Sequence, residues 1–550
     1  MHYWRGVITH VSFLLAQPIY LAIRCFVDTT DFTSRSSISW FLHGVAWLYI
    51  VTQVSIPFFK NPLRRLPSPP NERFLLCHLN FNGGKPFTTI YEDIINNTPN
   101  DGIVVLWGPL YLQCEIIATQ PETLMDVLNT HNYDWEKPKL IRKSLISILG
   151  EGLINVEGSK HKAMRRVVAP SFSGRQVREL APLFCASGAA LREVLAHEAT
   201  HHHGGIVEVA SPISRVTLDI IGAAGVGMNF RALEKEDSKL AKLYRETSQP
   251  PAFFLLVDTF IPKWFIRRVP WGGFARIMNG QVQLWQEMRV ILQQKKGRMN
   301  QEKTEQHGKD IIAHIMQSGD FSDDYLISQL LTFLAAGHST TASALAWALW
   351  LLSQNPEIQD RLHSECSTTL GNKDMTELDA STFDSEKMPF LTAVCNETLR
   401  VYPSAPNTVR EAVVSTTVGG VPIPKGTTVS IPPWAINRSR VLWGADAAEF
   451  VPDRWLHGPN AATGGAQSPL AYATFLHGPR SCIGKSFALL EMKCLLAPLV
   501  ARFRFEPAYP GQTVEMAGFL TIKPKGGLRL RVCDLRNVEC KATSAIQETL

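Results

Sequence analysis

The chain has 550 residues, 45% of them hydrophobic, enough to bury a large core and, on length alone, to suggest two to four domains. Its formal net charge of +6 is a mild excess of 55 basic over 49 acidic residues, with no long Lys/Arg run and no interleaving of basic and aromatic residues, which argues against nucleic acid as a partner. Ten cysteines without a CxxC pair argue against a disulfide scaffold or a structural zinc site and predict mostly free thiols in a reducing compartment.

Taken in chain order, residues 38 to 59, ISWFLHGVAWLYIVTQVSIPFF, carry no formal charge and are long enough to cross roughly 30 Å of hydrocarbon as a helix. Trp40, Trp47 and Tyr49 supply interfacial aromatics, and Lys60, Arg64 and Arg65 follow at once, predicting a cytosolic side for everything downstream. Gly6 to Val27 is a second, less apolar candidate, so residues 1–60 are expected to be a membrane anchor of one or two transmembrane helices. The four prolines of KNPLRRLPSPP forbid a continuous helix and make residues 61–70 a hinge. Residues 71–535 then form one domain, mainly α with small β-sheets: helical periods dominate, and strand-like runs occur at 102–108 and 416–433. Residues 536–550 are a polar tail.

Within that domain HEATH, residues 197–201, matches the zinc-hydrolase pattern H-E-x-x-H, but Gly204 and Gly205 end the helix at once and the spacing reads as chance on a solvated helix end. Asp323 to Gln354 predicts a helix of roughly 45 Å, opened by Ser322, Asp323 and Asp324 as caps and stopped before Pro356. It is apolar nearly all round, so it is either a membrane span or the centre of a large core. The polar interruption at residues 337–341 would be unsupported in lipid, which favours the core and marks a candidate cofactor face.

The stretch FLHGPRSCIG, residues 475–484, surrounds Cys482 with glycines and an arginine. A nucleophile, a disulfide half and a metal ligand are all open for an isolated cysteine. Gly478 and Gly484 let backbone approach a bulky flat partner and aim N–H groups at the sulfur, and Arg480 offers a fork suited to a carboxylate. A helix expected at 485–503 begins just after the cysteine, where its dipole also favours a thiolate. Thiolate, flat partner and carboxylate together describe haem, with Cys482 on iron and Arg480 on a propionate.

Here the sequence resembles the cytochrome P450 family of haem-thiolate monooxygenases: Phe475, Gly478, Arg480, Cys482 and Gly484 match every fixed position of F-x-x-G-x-R-x-C-x-G. Glu397 and Arg400 match the E-x-x-R helix, and Arg454 in FVPDRW matches the arginine that joins that pair, a structural set implied to scaffold the haem-binding core. AAGHSTT, residues 335–341, resembles the oxygen-activation motif. The resemblance implies that Ala336 and Gly337 leave room above the haem and that Thr340 hydrogen-bonds dioxygen or the water that delivers protons to it. Ser339 stands where the family has an acid, and a hydroxyl relays a proton but is a poor source of one. Arg165, with His161 in place of the family's tryptophan, matches the helix that holds a haem propionate, and Arg410 and His477 are further propionate candidates.

The resemblance implies a cytochrome P450 fold, haem b (iron protoporphyrin IX) as cofactor, dioxygen, and two electrons from an NADPH-cytochrome P450 reductase. It further implies a hydrophobic small molecule as substrate, and the N-terminal stretches and motifs are similar to those of fungal secondary-metabolism members, implying a terpenoid, polyketide or alkaloid. The apolar segment 250–265 is expected as a lid over the substrate channel. The implied location is the endoplasmic reticulum membrane with the catalytic domain cytosolic. A haem-thiolate isomerase or dehydratase without reductase, and a membrane zinc hydrolase at HEATH, are the alternatives.

Overall fold

In a computed structural model of the chain, the described residues are 43–45, 47–49, 52, 59–70, 87–108, 114–235, 239–248, 272–301, 310–371, 373–518 and 520–536. The expected membrane spans, 6–27 and most of 38–59, lie outside them, as do the segment 250–265 and the tail after residue 536. Among the described residues no helix is long and apolar enough to cross a membrane.

The chain divides into two compact units. The smaller is drawn from Met1–Pro138, Asn407–Gly444 and His477–Pro479. Its centre is a five-stranded sheet in the order Ile103–Trp107, Cys114–Ala118, Thr428–Ile431, Thr408–Ala412, Trp135–Glu136. All pairings are antiparallel except that of Cys114–Ala118 with Thr428–Ile431. Both predicted strand regions are found here. The second also folds Thr416–Val418 back on Val421–Ile423 through Gly419 and Gly420, whose φ angles of 55° and 75° are those the tightest hairpin turn demands. The proline stretch after residue 60 forms one 3-10 turn, Pro62–Arg65, capped by the Asn61 side chain, with Leu63 fully buried. It lies along the sheet, where the Pro67 carbonyl accepts the Val105 N–H at 2.8 Å.

The larger unit, Lys139–Pro406, Ala445–Leu476 and Arg480–Leu550, is mainly helical. The predicted central helix runs Asp323–Gln354, and the Ser322 side chain accepts the Tyr325 N–H as its cap. Its apolar circumference is satisfied by packing against the helices Ala210–Ile221, Gly272–Gln301, Pro389–Val401 and Lys485–Arg502. Trp347, fully buried near its C-terminal end, stacks on Tyr402 with ring centroids 4.2 Å apart, a contact worth about 1 kcal/mol beyond the area it buries. A three-stranded sheet, ordered Ile206–Glu208, Arg529–Asp534, Phe503–Pro507, closes one side of this unit. The described cysteines are free thiols.

Candidate active site

The cysteine loop is closed by the Cys482 N–H, which donates to the Phe475 carbonyl at 2.8 Å. Closing it forces Leu476 to a φ of 52°, a left-handed conformation that costs a residue with a side chain and is held here by its surroundings. Behind the loop the helix Lys485–Arg502 starts, as its sequence predicts, with Gly484 as its cap. Desolvation pushes the Cys482 thiol above its ordinary pKa, opposed by the Gly484 N–H and by the positive charges of Arg165 and Lys485. Yet Cys482 is exposed to solvent. A side chain that water reaches but that protein surrounds closely enough to desolvate it lies in a recess rather than on an outer surface.

Arg165 sits on the helix Gly158–Val168 and ties that helix to the loop: its guanidinium donates to the Ser481 carbonyl at 2.8 Å and to the Ser481 hydroxyl at 3.3 Å. His161, one turn earlier, is buried. Arg480 is almost fully buried and donates to Glu157 at 2.6 Å, so it already carries a carboxylate of the protein. Glu157 precedes the first turn of the Arg165 helix, a pairing the sequence analysis did not foresee.

The central helix is buried at every side chain from Leu326 to Ser353 except Ala335, Ala336, Gly337, Ser339 and Thr340. This patch of small residues borders accessible space in the middle of a helix otherwise enclosed by core. The Thr340 hydroxyl donates to the Ala336 carbonyl at 2.7 Å, leaving its lone pairs to accept from a partner in that space, and the Thr340 carbonyl accepts the Ser404 hydroxyl at 2.7 Å. The Ser339 hydroxyl stands 3.4 Å from both the Ala335 carbonyl and the Thr521 hydroxyl. A Cβ at Gly337 would meet Ile221 at 2.8 Å, so the missing side chain lets the helix Ala210–Ile221 pack close, and Ala336 beside it is exposed. Phe172 connects this helix to the cysteine helix, with its ring centroid 5.5 Å from that of Phe333 and 6.5 Å from that of Phe487.

Glu397 and Arg400, on the helix Pro389–Val401, are both fully buried and joined by two bonds of 2.8 Å. Arg454 donates to Glu397 at 2.9 Å, as do the Trp455 indole and the Val451 N–H. Arg400 also donates to the carbonyls of Ala447 and Glu449 at 2.6 and 2.7 Å. The helix is tied to the cysteine loop by the Thr474 hydroxyl, which donates to the Leu399 carbonyl at 2.7 Å.

Three expected site residues belong to the smaller unit. There Arg410 is buried and donates to the Thr408 hydroxyl and the Val409 carbonyl at 2.7 and 2.8 Å. His477 is half-buried. Gly478, at a φ of 72°, gives its clearance to the chain itself, since a Cβ would lie 2.0 Å from the Leu128 carbonyl. HEATH lies at the exposed C-terminal end of the helix Ala181–His201, where His197 and His201 stack on each other at 4.0 Å and the His201 Nδ1 lies 2.8 Å from the His197 carbonyl. Among the described residues no group of three or more His, Cys, Asp or Glu is arranged to hold a metal ion.

A recessed thiol whose anion a backbone N–H and an arginine favour, together with a small-residue opening in an otherwise buried helix, fits a flat metal-centred group with thiolate ligation. Residues the sequence reading missed are Glu157, Ser404, Ser481, Thr521 and Glu491. Of these only Glu491 carries a sequence signal, a lone carboxylate within the apolar run from Phe487 to Val500, broken otherwise by Lys493.

The family model for cytochrome P450 matches residues 70–530. The chain is 36% identical over 499 residues to the cytochrome P450 monooxygenase sphH of Aspergillus fumigatus, covering 88% of this chain and 91% of the relative. It is 32% identical over 538 residues to the cytochrome P450 monooxygenase FUM15 of Gibberella moniliformis, covering 88% and 90%. Its fold is similar to the crystal structure of the cytochrome P450DA haem domain, with a TM-score of 0.70 at 21% identity over 85% of this chain and 97% of that one. A family match over most of the chain, relatives of equal length and the shared fold agree: the chain belongs to the cytochrome P450 family and is a haem-dependent monooxygenase.

Proposed function

We propose that this monooxygenase binds haem b through Cys482 and oxidises a hydrophobic small molecule of fungal secondary metabolism, drawing electrons from an NADPH-cytochrome P450 reductase while anchored by residues 1–60 in the endoplasmic reticulum membrane with its catalytic domain cytosolic. The carrying observation is Cys482, exposed within a recess and backed by the Gly484 N–H, with Arg165 bound to the neighbouring Ser481. When bound, haem supplies the oxidising chemistry, in which dioxygen and two electrons place one oxygen atom in the substrate and the other in water.

The protein's own residues do the rest. Gly484, Arg165 and Lys485 favour the thiolate form of Cys482, the form that ligates a metal. Arg165, Arg480 and His161 are the donors read for the propionates, the guanidinium fork being suited to a carboxylate. Thr340 holds a water or oxygen donor against the central helix, and Ser339 with Thr521 extends the hydroxyl surface there. Relatives of matching length named as monooxygenases support oxidation over isomerisation or dehydration.

The test is the spectrum of the reduced full-length protein under carbon monoxide. A red-shifted Soret band that survives His197→Ala and disappears in Cys482→Ala is expected; its absence from the wild type overturns the proposal. NADPH consumption that depends on added reductase is expected as well, and product formed without reductase would instead indicate an isomerase or dehydratase.

A further inference from the structure

The segment that leaves the helix Pro389–Val401 runs back along the central helix and touches it twice. Tyr402 stacks on Trp347, and two residues later the buried Ser404 donates its hydroxyl to the Thr340 carbonyl at 2.7 Å. Ser404 is itself held, since its own carbonyl accepts the Ile522 N–H at 3.0 Å. The Ile522 carbonyl in turn accepts the hydroxyl of Ser343, buried one turn after Thr340 on the same face of the central helix. These four residues close a ring of bonds that begins and ends on the central helix. Their sequence neighbours Ser339 and Thr521, 3.4 Å apart, put the ring at the edge of the small-residue patch.

In an α-helix the carbonyl of residue 340 already receives the N–H four residues on, and a carbonyl has two lone pairs. The Ser404 hydroxyl is therefore a second donor, not needed to satisfy a buried acceptor, and what it adds is direction. Thr340 has spent its own proton on the Ala336 carbonyl at 2.7 Å, so where its lone pairs point depends on how its peptide is held.

We propose that Ser404 is a positioning residue for the oxygen chemistry: by gripping the Thr340 carbonyl it fixes where the Thr340 hydroxyl stands, and Ile522 and Ser343 hold Ser404 to that grip. This rests on the monooxygenase reading above. Ser404 acts through Thr340 and reaches no reacting atom itself. A displacement of about half an ångström is enough to spoil the alignment of such a group.

The experiment uses the full-length haem protein with reductase, NADPH and dioxygen, and needs no identified substrate: the readout is the fraction of NADPH electrons released as hydrogen peroxide. Ser404→Ala is expected to raise that fraction several-fold with the reduced carbon monoxide band retained and the melting temperature close to wild type. Ser404→Thr, which keeps the hydroxyl, is expected to stay near wild type. Ser343→Ala is expected to give a smaller rise, and to add nothing when combined with Ser404→Ala, because it acts only through Ser404. Independently of turnover, the infrared stretch of bound carbon monoxide responds to the hydroxyls beside it, and Ser404→Ala is expected to shift it in the same direction as Thr340→Ala. A peroxide fraction in Ser404→Ala within error of wild type, a carbon monoxide stretch that does not move, or a Ser343→Ala effect that adds in full overturns the proposal. These failures occur with a normal wild-type Soret band, whereas failure of the haem reading removes the band itself.

Discussion

At the scale of single residues, the cost of keeping Glu491 uncharged is measurable without any chemistry. Its pKa rises from an ordinary 4.5 to about 8, so its contribution is fully present below about pH 4.5 and is lost as the pH rises through 8. The folded state pays of the order of several kcal/mol for this once the unfolded carboxyl is ionised. The titratable group it acts on is the thiol of Cys494, on the same helix. Glu491→Gln should therefore melt at the wild-type temperature near pH 4.5 and several degrees higher at pH 8, read by thermal unfolding across that range. Equal melting temperatures at both pH values would remove the desolvated carboxyl. Cys482, Thr340 and the E-x-x-R pair were legible in the sequence because each lies in a short pattern whose spacing carries its chemistry. The Glu157 partner of Arg480 was not, since 323 positions separate the two and nothing local marks either as the other's mate.

At the scale of elements, the predicted boundaries of the central helix hold because capping and proline are local events. Its environment follows from mean apolarity, which told that it is enclosed without telling by what. The four helices around it, and the close approach of Ile221 that Gly337 permits, are packing outcomes. The helix Pro389–Val401 illustrates the same division. Spacing places Glu397 and Arg400 on one face, and the pair would be worth little at a surface. Burial makes it a hub, with Glu397 accepting from Arg400, Arg454, Trp455 and a backbone N–H. Glu397→Ala leaves the fully buried Arg400 without its carboxylate and Arg454 with Asp446 only, and should cost about 3–5 kcal/mol, measured as a lowered denaturant midpoint with loss of haem. A loss under about 1 kcal/mol would make the hub dispensable. Trp347→Ala removes the stacked ring under Tyr402 and should cost about 3–5 kcal/mol by the same measurement, with the carbon monoxide spectrum retained in the folded fraction.

At the scale of the whole molecule, the proposed anchor makes a prediction about residues 1–60 alone. Expressed in a eukaryotic host, the full chain should sediment with membranes and resist extraction at high salt, and a chain starting at residue 61 should be released by it or appear in the soluble fraction. An unchanged distribution would transfer membrane binding to the catalytic domain. The sequence by itself determined the class of this protein through two motifs that resemble those of the cytochrome P450 family, a cysteine boxed by glycines and an arginine and an E-x-x-R pair, each set within a few residues. Only the tertiary structure decided how the charges are shared out. Arg480 takes Glu157, Arg400 takes two distant carbonyls, Gly478 yields to Leu128, and Glu491 meets the Thr341 hydroxyl. The reason is physical: desolvation and hydrogen-bond satisfaction depend on atoms brought together from far along the chain, and no window of sequence contains them.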